Sequence, residues 1–178
     1  MKAFVAILFV VGAIAVVGFG LTNVSGGGTN NSDFLRLHIR ANSNSHEDQR
    51  VKHDIRDRIV DGFAPIFAFV TSRGQAMSVL RDNLSRFNDI ANEVLSEQGF
   101  TYTARTALRS EYFPTRSYAG FSLPAGMYDA LIIELGAADG DNWWCVVYPP
   151  LCFLNNNIGG ERGVVYRSRL QEIVGRFR

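Results

Sequence analysis

The chain has 178 residues, 47% of them hydrophobic and 20% charged, with 18 Lys and Arg against 17 Asp and Glu. This is the composition of a folded globular protein, and it excludes both a disordered chain and a strongly basic nucleic-acid module. At this length a domain buries about two-thirds of the surface its unfolded chain exposes, so it needs no disulfide merely to fold.

The charges are unevenly placed, because none occurs between Lys2 and Asp33. Met1-Lys2 precedes an apolar run from Ala3 to Leu21, and one positive charge before such a run reads as an export segment. Its length is near the roughly 20 residues that span a bilayer, so residues 1–21 fit either a cleaved signal peptide or an uncleaved signal anchor. A helix buried in a cytosolic core fits less well, since nothing polar interrupts the run to make an outer face. Residues 22–33, with Gly26-Gly27-Gly28 and several Asn, Ser and Thr, read as a flexible linker. The folded domain is expected over 34–160, followed by a basic tail, 161–178, with apolar residues at roughly helical spacing. Setting the export segment aside removes Lys2 and no acid, so the remainder is formally neutral. It has no long-range field to steer it to phosphate or an anionic membrane.

In the domain, Leu35, Leu37, Ile39 and Ala41 alternate with Arg36, His38 and Arg40, the period of a strand with one solvated face. Asn42-Ser43-Asn44-Ser45 supplies turn residues, and Ser45 with Asp48 has the spacing of a helix start. A charged helix follows with a narrow apolar stripe, Val51, Ile55, Ile59 and Phe63, and Pro65 is placed to end or kink it. Ser72 and Gln75 open a second helix whose apolar positions run from Ala76 to Leu95 at steps of three and four, closed by Gly99. Strands are expected from Tyr102 to Phe113, from Met127 to Leu135 after the Leu123-Pro124-Ala125-Gly126 turn, and from Asn142 to Tyr148, stopped by Pro149-Pro150. One strand, two helices and three further strands predict an α+β domain: a mainly antiparallel four-stranded sheet with two helices packed on one face. A doubly wound parallel sheet would need helical crossovers between the later strands, and there is no room for them.

Few residues suggest catalysis. His46-Glu47 begins like a zinc-protease motif, but its fifth position is Arg50. His46, His53 and Asp57 share one helical face and could hold a metal, yet a solvated face laced with i,i+4 pairs is the simpler reading, so neither metal nor cofactor is expected. Cys145 and Cys152 flank the Tyr148-Pro149-Pro150 bend, and in an exported chain a disulfide between them is a simpler outcome than free buried thiols. A thiol hydrolase using Cys145 would need a basic partner, and the nearest histidine, His53, lies far upstream.

The last strand is apolar on both faces, with Trp143, Cys145 and Val147 opposing Trp144, Val146 and Tyr148. If helices cover only one face, either other parts of the chain lie over the second or it meets a partner. From Ser117 to Gly160 there is no basic residue, only Asp129, Glu134, Asp139 and Asp141, which favours a protein partner over nucleic acid. Trp143, Trp144, Tyr148 and the Pro149-Pro150 bend are the candidate contact surface, since Trp and Tyr commonly anchor interfaces. The Asn42 to Gln49 turn, including Ser43, Asp48 and Gln49, is a second candidate.

Two blocks, Leu35 to Lys52 and Pro124 to Phe153 with its NWWC…PPLC string, together with Phe113-Pro114-Thr115-Arg116 and Tyr118, resemble the stage II sporulation protein R family of endospore-forming bacteria. Where this chain has Asn42-Ser43-Asn44-Ser45 the family usually reads N-S-D-S, and both Asn and Asp cap helices. The resemblance implies a non-enzymatic protein made in the forespore and exported into the space between the two membranes. There it would activate a membrane-embedded aspartic protease that removes the pro-segment of a sporulation sigma factor. An exported envelope hydrolase using Cys145 or the His46/His53/Asp57 face is the alternative.

Overall fold

The computed structural model describes residues 31–118 and 121–154, so the expected export segment, 1–21, most of the expected linker and the basic tail, 161–178, lie outside the described residues. A 3-10 turn, Asn31–Asp33, leads into β1, Leu35–Arg40. Three helices follow: α1 His46–Phe67, α2 Arg73–Asp82 and α3 Leu84–Glu97. The strands β2 Ala104–Phe113, β3 Arg116–Tyr118, β4 Phe121–Leu123, β5 Gly126–Leu135 and β6 Asn142–Tyr148 come next, then the single turn α4, Leu151–Leu154.

The helix starts behave as their side chains require. The Ser45 hydroxyl accepts from the Asp48 N–H at 3.1 Å and Ser72 accepts from the Gln75 N–H at 3.2 Å, each satisfying a donor the helix cannot. Gly99, at φ 78°, ends α3, and the Phe100 N–H returns to the Leu95 carbonyl. The expected single second helix is two, because the Asn83 side chain donates to the Val79 carbonyl at 2.9 Å and its backbone leaves helical geometry. Pro65 is accommodated inside the last turn of α1.

The four-stranded sheet has the order β2-β5-β1-β6. It is mixed, which corrects the antiparallel expectation in one place: β1 and β5 are parallel neighbours at the centre, flanked by antiparallel β2 and β6. The helices and β2 together supply the long return that a parallel pair demands. The turn from β5 to β6 then crosses over the exit of β1. That crossing is tight, since a Cβ on Gly140 would run into the Ser43 carbonyl, and the Gly140 N–H donates to the Ala41 carbonyl at 2.9 Å.

Helices α1 to α3 lie on one face over Leu35, Leu37, Ile39, Leu131, Ile133, Cys145 and Val147. The second face carries a smaller core of Phe34, Phe113, Leu123, Tyr128, Ala130, Ile132, Val146 and Leu151, with Tyr118 of β3 packed on it. β1 is therefore buried on both faces, and the expected solvated row is not solvated: Arg36 and His38 are 0% and 1% exposed.

Candidate functional site

The two sequence blocks meet where β1 ends. There the Asn42–Gln49 turn, the 136–141 turn and the start of β6 pack together around Asp48, the third residue of α1. Its buried carboxylate accepts from Asn42 Nδ2 at 2.9 Å, Ser43 Oγ at 2.5 Å and the Tyr102 hydroxyl at 2.5 Å. Burial opposes ionisation, but these donors hold the Asp48 carboxyl below its ordinary range. Its position in the first turn also suits a negative charge. Burial and the neighbouring carboxylate raise the Tyr102 phenol.

Around this hub the turns are tied to one another. Asn42 Oδ1 accepts from the Ala137 N–H, Asn44 Oδ1 accepts from the Asp141 N–H at 2.6 Å, and Gln49 Nε2 donates to the Ser43 carbonyl. Lys52, also buried, donates to Gln49 Oε1 and to the Asp141 carbonyl at 2.8 Å. Trp143 stands beside this end, half-buried, with the Arg56 guanidinium 5.5 Å from its ring centre. The rim left to solvent is Asn44, Ser45, His46, Glu47, Asp139 and Asp141.

Trp144 lies on the opposite face of the sheet. It stacks on the His38 ring at 3.6 Å between centroids, and the Arg116 guanidinium of β3 lies 5.5 Å from its ring centre. His38 Nδ1 and Nε2 meet Glu111 Oε1 at 2.6 Å and Asn142 Oδ1 at 2.8 Å. Glu111 also accepts from Arg40 and Arg109, and both arginines reach Glu134, closing a ring of charges across β1, β2 and β5. Burial lowers the His38 pKa, against the bonds to Asn142 and Glu111. Glu111 is held down by His38, Arg109 and Arg40 despite its burial.

A histidine whose folded pKa lies below its unfolded one contributes stability that is present above the unfolded value, about 6.5, and is lost as pH falls through the folded value. Asp48 and Glu111 add losses of the same sign lower down, as pH falls through the carboxylate range. The denaturation midpoint should therefore drop between pH 7.5 and 5.0, and His38→Gln should flatten that slope. An unchanged slope in the variant would assign the loss to other groups, such as His53, which burial and Arg56 also lower.

The other sequence candidates are elsewhere. A bulge in β6 pairs Val146 with Arg36 and Tyr148 with Leu35, so Tyr148 turns to the helix face, contrary to simple alternation. Its hydroxyl donates to the Thr71 carbonyl at 3.1 Å. Pro149 and Pro150 are buried at that far end of β6. Cys145 and Cys152 are joined by a disulfide with Cα atoms 6.0 Å apart, an ordinary span for a bridge. On α1, Arg56 holds Asp57 through both carboxylate oxygens and approaches His53 Nδ1 at 2.9 Å, while His46 is exposed. Sequence reasoning did not single out Tyr102, Lys52, His38 or Glu111. Only the parity of Arg36, His38 and Arg40 hinted that β1 carries a polar face.

The model of the family described as stage II sporulation protein R matches residues 31–158, which takes in both blocks and the turns they build. The chain belongs to the stage II sporulation protein R family. It is 39% identical over 125 residues to the stage II sporulation protein R of Bacillus subtilis (strain 168), an alignment covering 70% of this chain and 56% of that protein. The chain thus spans little more than half of its relative, and the resemblance drawn from the two blocks is borne out at the level of a sporulation family. No solved structure matches the chain.

Proposed function

We propose that this chain is an exported, non-catalytic sporulation signal that activates a membrane-embedded aspartic protease, leading to processing of a pro-sigma factor and so carrying a message from forespore to mother cell. The observation that supports it is the convergence, in a member of this family, of the Leu35–Lys52 and Pro124–Phe153 blocks at one end of the sheet. Their polar side chains are spent on holding the two turns in one shape, as a recognition surface requires, instead of converging on a reacting atom. The export run at residues 1–21 would carry the domain across the membrane.

The receptor contact in this reading is the exposed rim of the Asn42–Gln49 and 136–141 turns with Trp143 at its side. Activation follows if this end binds the active form of the protease more tightly than the inactive one. The hydrolase alternative is less well supported, because the Cys145 sulfur is bonded to Cys152 and Asp57 is held by Arg56.

Reconstitution tests the proposal. The full chain is expressed with the protease and its pro-sigma substrate, and cleavage is followed by blotting. Cleavage should require the chain, persist in Cys145→Ser if that variant folds, and fall at least tenfold in Trp143→Ala. Equal cleavage with and without the chain would defeat the proposal, and loss of cleavage in a folded Cys145→Ser would revive the thiol reading.

A further inference from the structure

β2 is an edge strand of ten residues, and its free side can be read from its contacts. The Ala104 N–H and carbonyl both bond to the Asn92 side chain, at 2.8 and 3.3 Å, while the Thr103 carbonyl accepts from Gly136 on the β5 side. In an antiparallel strand both backbone groups of a residue point the same way and alternate along the chain. Thr106, Leu108, Ser110 and Tyr112 therefore turn their N–H and C=O groups outward, and no described residue takes them. Asn92 closes the edge only at Ala104. Two of the three large hydrophobic side chains that are exposed among the described residues, Tyr112 at 61% and Met127 at 55%, face each other across β2 and β5 at this same end.

An open edge of this length is a template for another strand, and proteins usually blunt it with unpaired or repelling charge. Here the charges fit a second copy of the same strand. If two β2 strands pair antiparallel about a two-fold axis at Ser110, Arg109 stands opposite Glu111 of the other copy. On the other face of the sheet Leu108 stands opposite Tyr112. Leu108, Ser110 and Tyr112 then form hydrogen-bonded pairs, and Arg109 has an opposite charge, not a like one, directly across from it. A register centred on Leu108 instead would bring Tyr112 against Ala104, whose groups Asn92 already holds. We infer that this chain forms a two-fold homodimer by antiparallel β2 pairing centred on Ser110, joining two sheets into one of eight strands.

The test uses the full chain in mild detergent. Light scattering should report a dimer for the wild type and a monomer for Ser110→Pro, which removes an outward N–H and leaves the bonds to β5 in place. The variant keeps the N-terminal apolar segment, so association through that segment would persist in it and would overturn the assignment. Under oxidation, Ser110→Cys should form a covalent dimer, because a hydrogen-bonded cross-strand pair has Cα atoms about 5.5 Å apart, within disulfide range. Leu108→Cys and Tyr112→Cys should each remain mainly uncrosslinked alone and crosslink when mixed. A monomeric wild type, with the edge bare or taken by a terminal segment of the same chain, would refute the dimer, and a strong Leu108→Cys homodimer would refute the register. None of these readouts depends on the receptor.

Discussion

Replacing Asp48 with Ala should lower the unfolding free energy by about 3 kcal/mol, measured by urea denaturation at pH 7, with little change in the denaturant slope. Bonds from neutral donors to a charged acceptor are worth about 1.5–3 kcal/mol each, and Asp48 receives three. The full sum is not expected, since Asn42, Ser43 and Tyr102 are only partly buried and water can replace part of what they lose. The favourable charge at the start of α1 is lost as well. Asp48→Asn keeps the size and one acceptor, so it should fall between wild type and Ala. Because the same carboxylate joins the Asn42 turn to Tyr102, the loss should extend to the shape of the rim. On the proposed function, activation of the protease should then weaken even where the domain stays folded. A change under 1 kcal/mol for Ala would show that the turns hold without their hub.

The second large effect is at Arg36. Its guanidinium is fully buried, donates from Nε to the Cys145 carbonyl at 3.0 Å and from Nη2 to the Tyr118 hydroxyl at 2.6 Å, and lies 4.4 and 4.9 Å from the Phe113 and Tyr128 rings. Nη1 has no hydrogen-bond partner among the described residues. Burial lowers the Arg36 pKa, and the aromatic faces with their two acceptors offset the cost of a buried cation. Arg36→Ala removes the volume under β3 and leaves Tyr118 and Cys145 short of a donor. The expected loss is about 3–5 kcal/mol, the range of large-to-small changes in a core. Arg36→Met fills most of the same space without a charge to desolvate, and should stay within about 1 kcal/mol of wild type or exceed it. Equal damage from Met and Ala would mean that the hydrogen bonds, and not the packing, hold β3 over the sheet.

Much of the fold was legible in short stretches. The β1 strand, though not its solvated face, the Ser45 and Ser72 caps, the α1 stripe at Val51, Ile55, Ile59 and Phe63, the glycine stop at Gly99 and the β6 bounds all reappear in the structure. Each depends on residues within about two turns or one strand of one another. The break at Asn83 was hidden because the apolar spacing runs straight through it, while the competing bond is made by a single side chain. The candidate site was legible only as two unconnected blocks. Nothing in the spacing of Asn44 and Asp141, or of Asp48 and Tyr102, states that they touch.

Short-range pattern in the sequence was enough for the α+β class, the capped starts of α1 and α2, the stop at Gly99 and the two blocks that carry the family. Tertiary structure alone decided that β1 lies inside the sheet. That single placement buries Arg36 and His38, makes the central pair parallel, and forces the 136–141 turn over the Asn42 turn. The order of strands is set by long-range burial summed over both faces, whereas periodicity reports only which residues share a face. For the same reason Trp143 and Trp144, adjacent in the chain and alike in chemistry, end on opposite sides of the sheet, one beside the rim and the other stacked on His38.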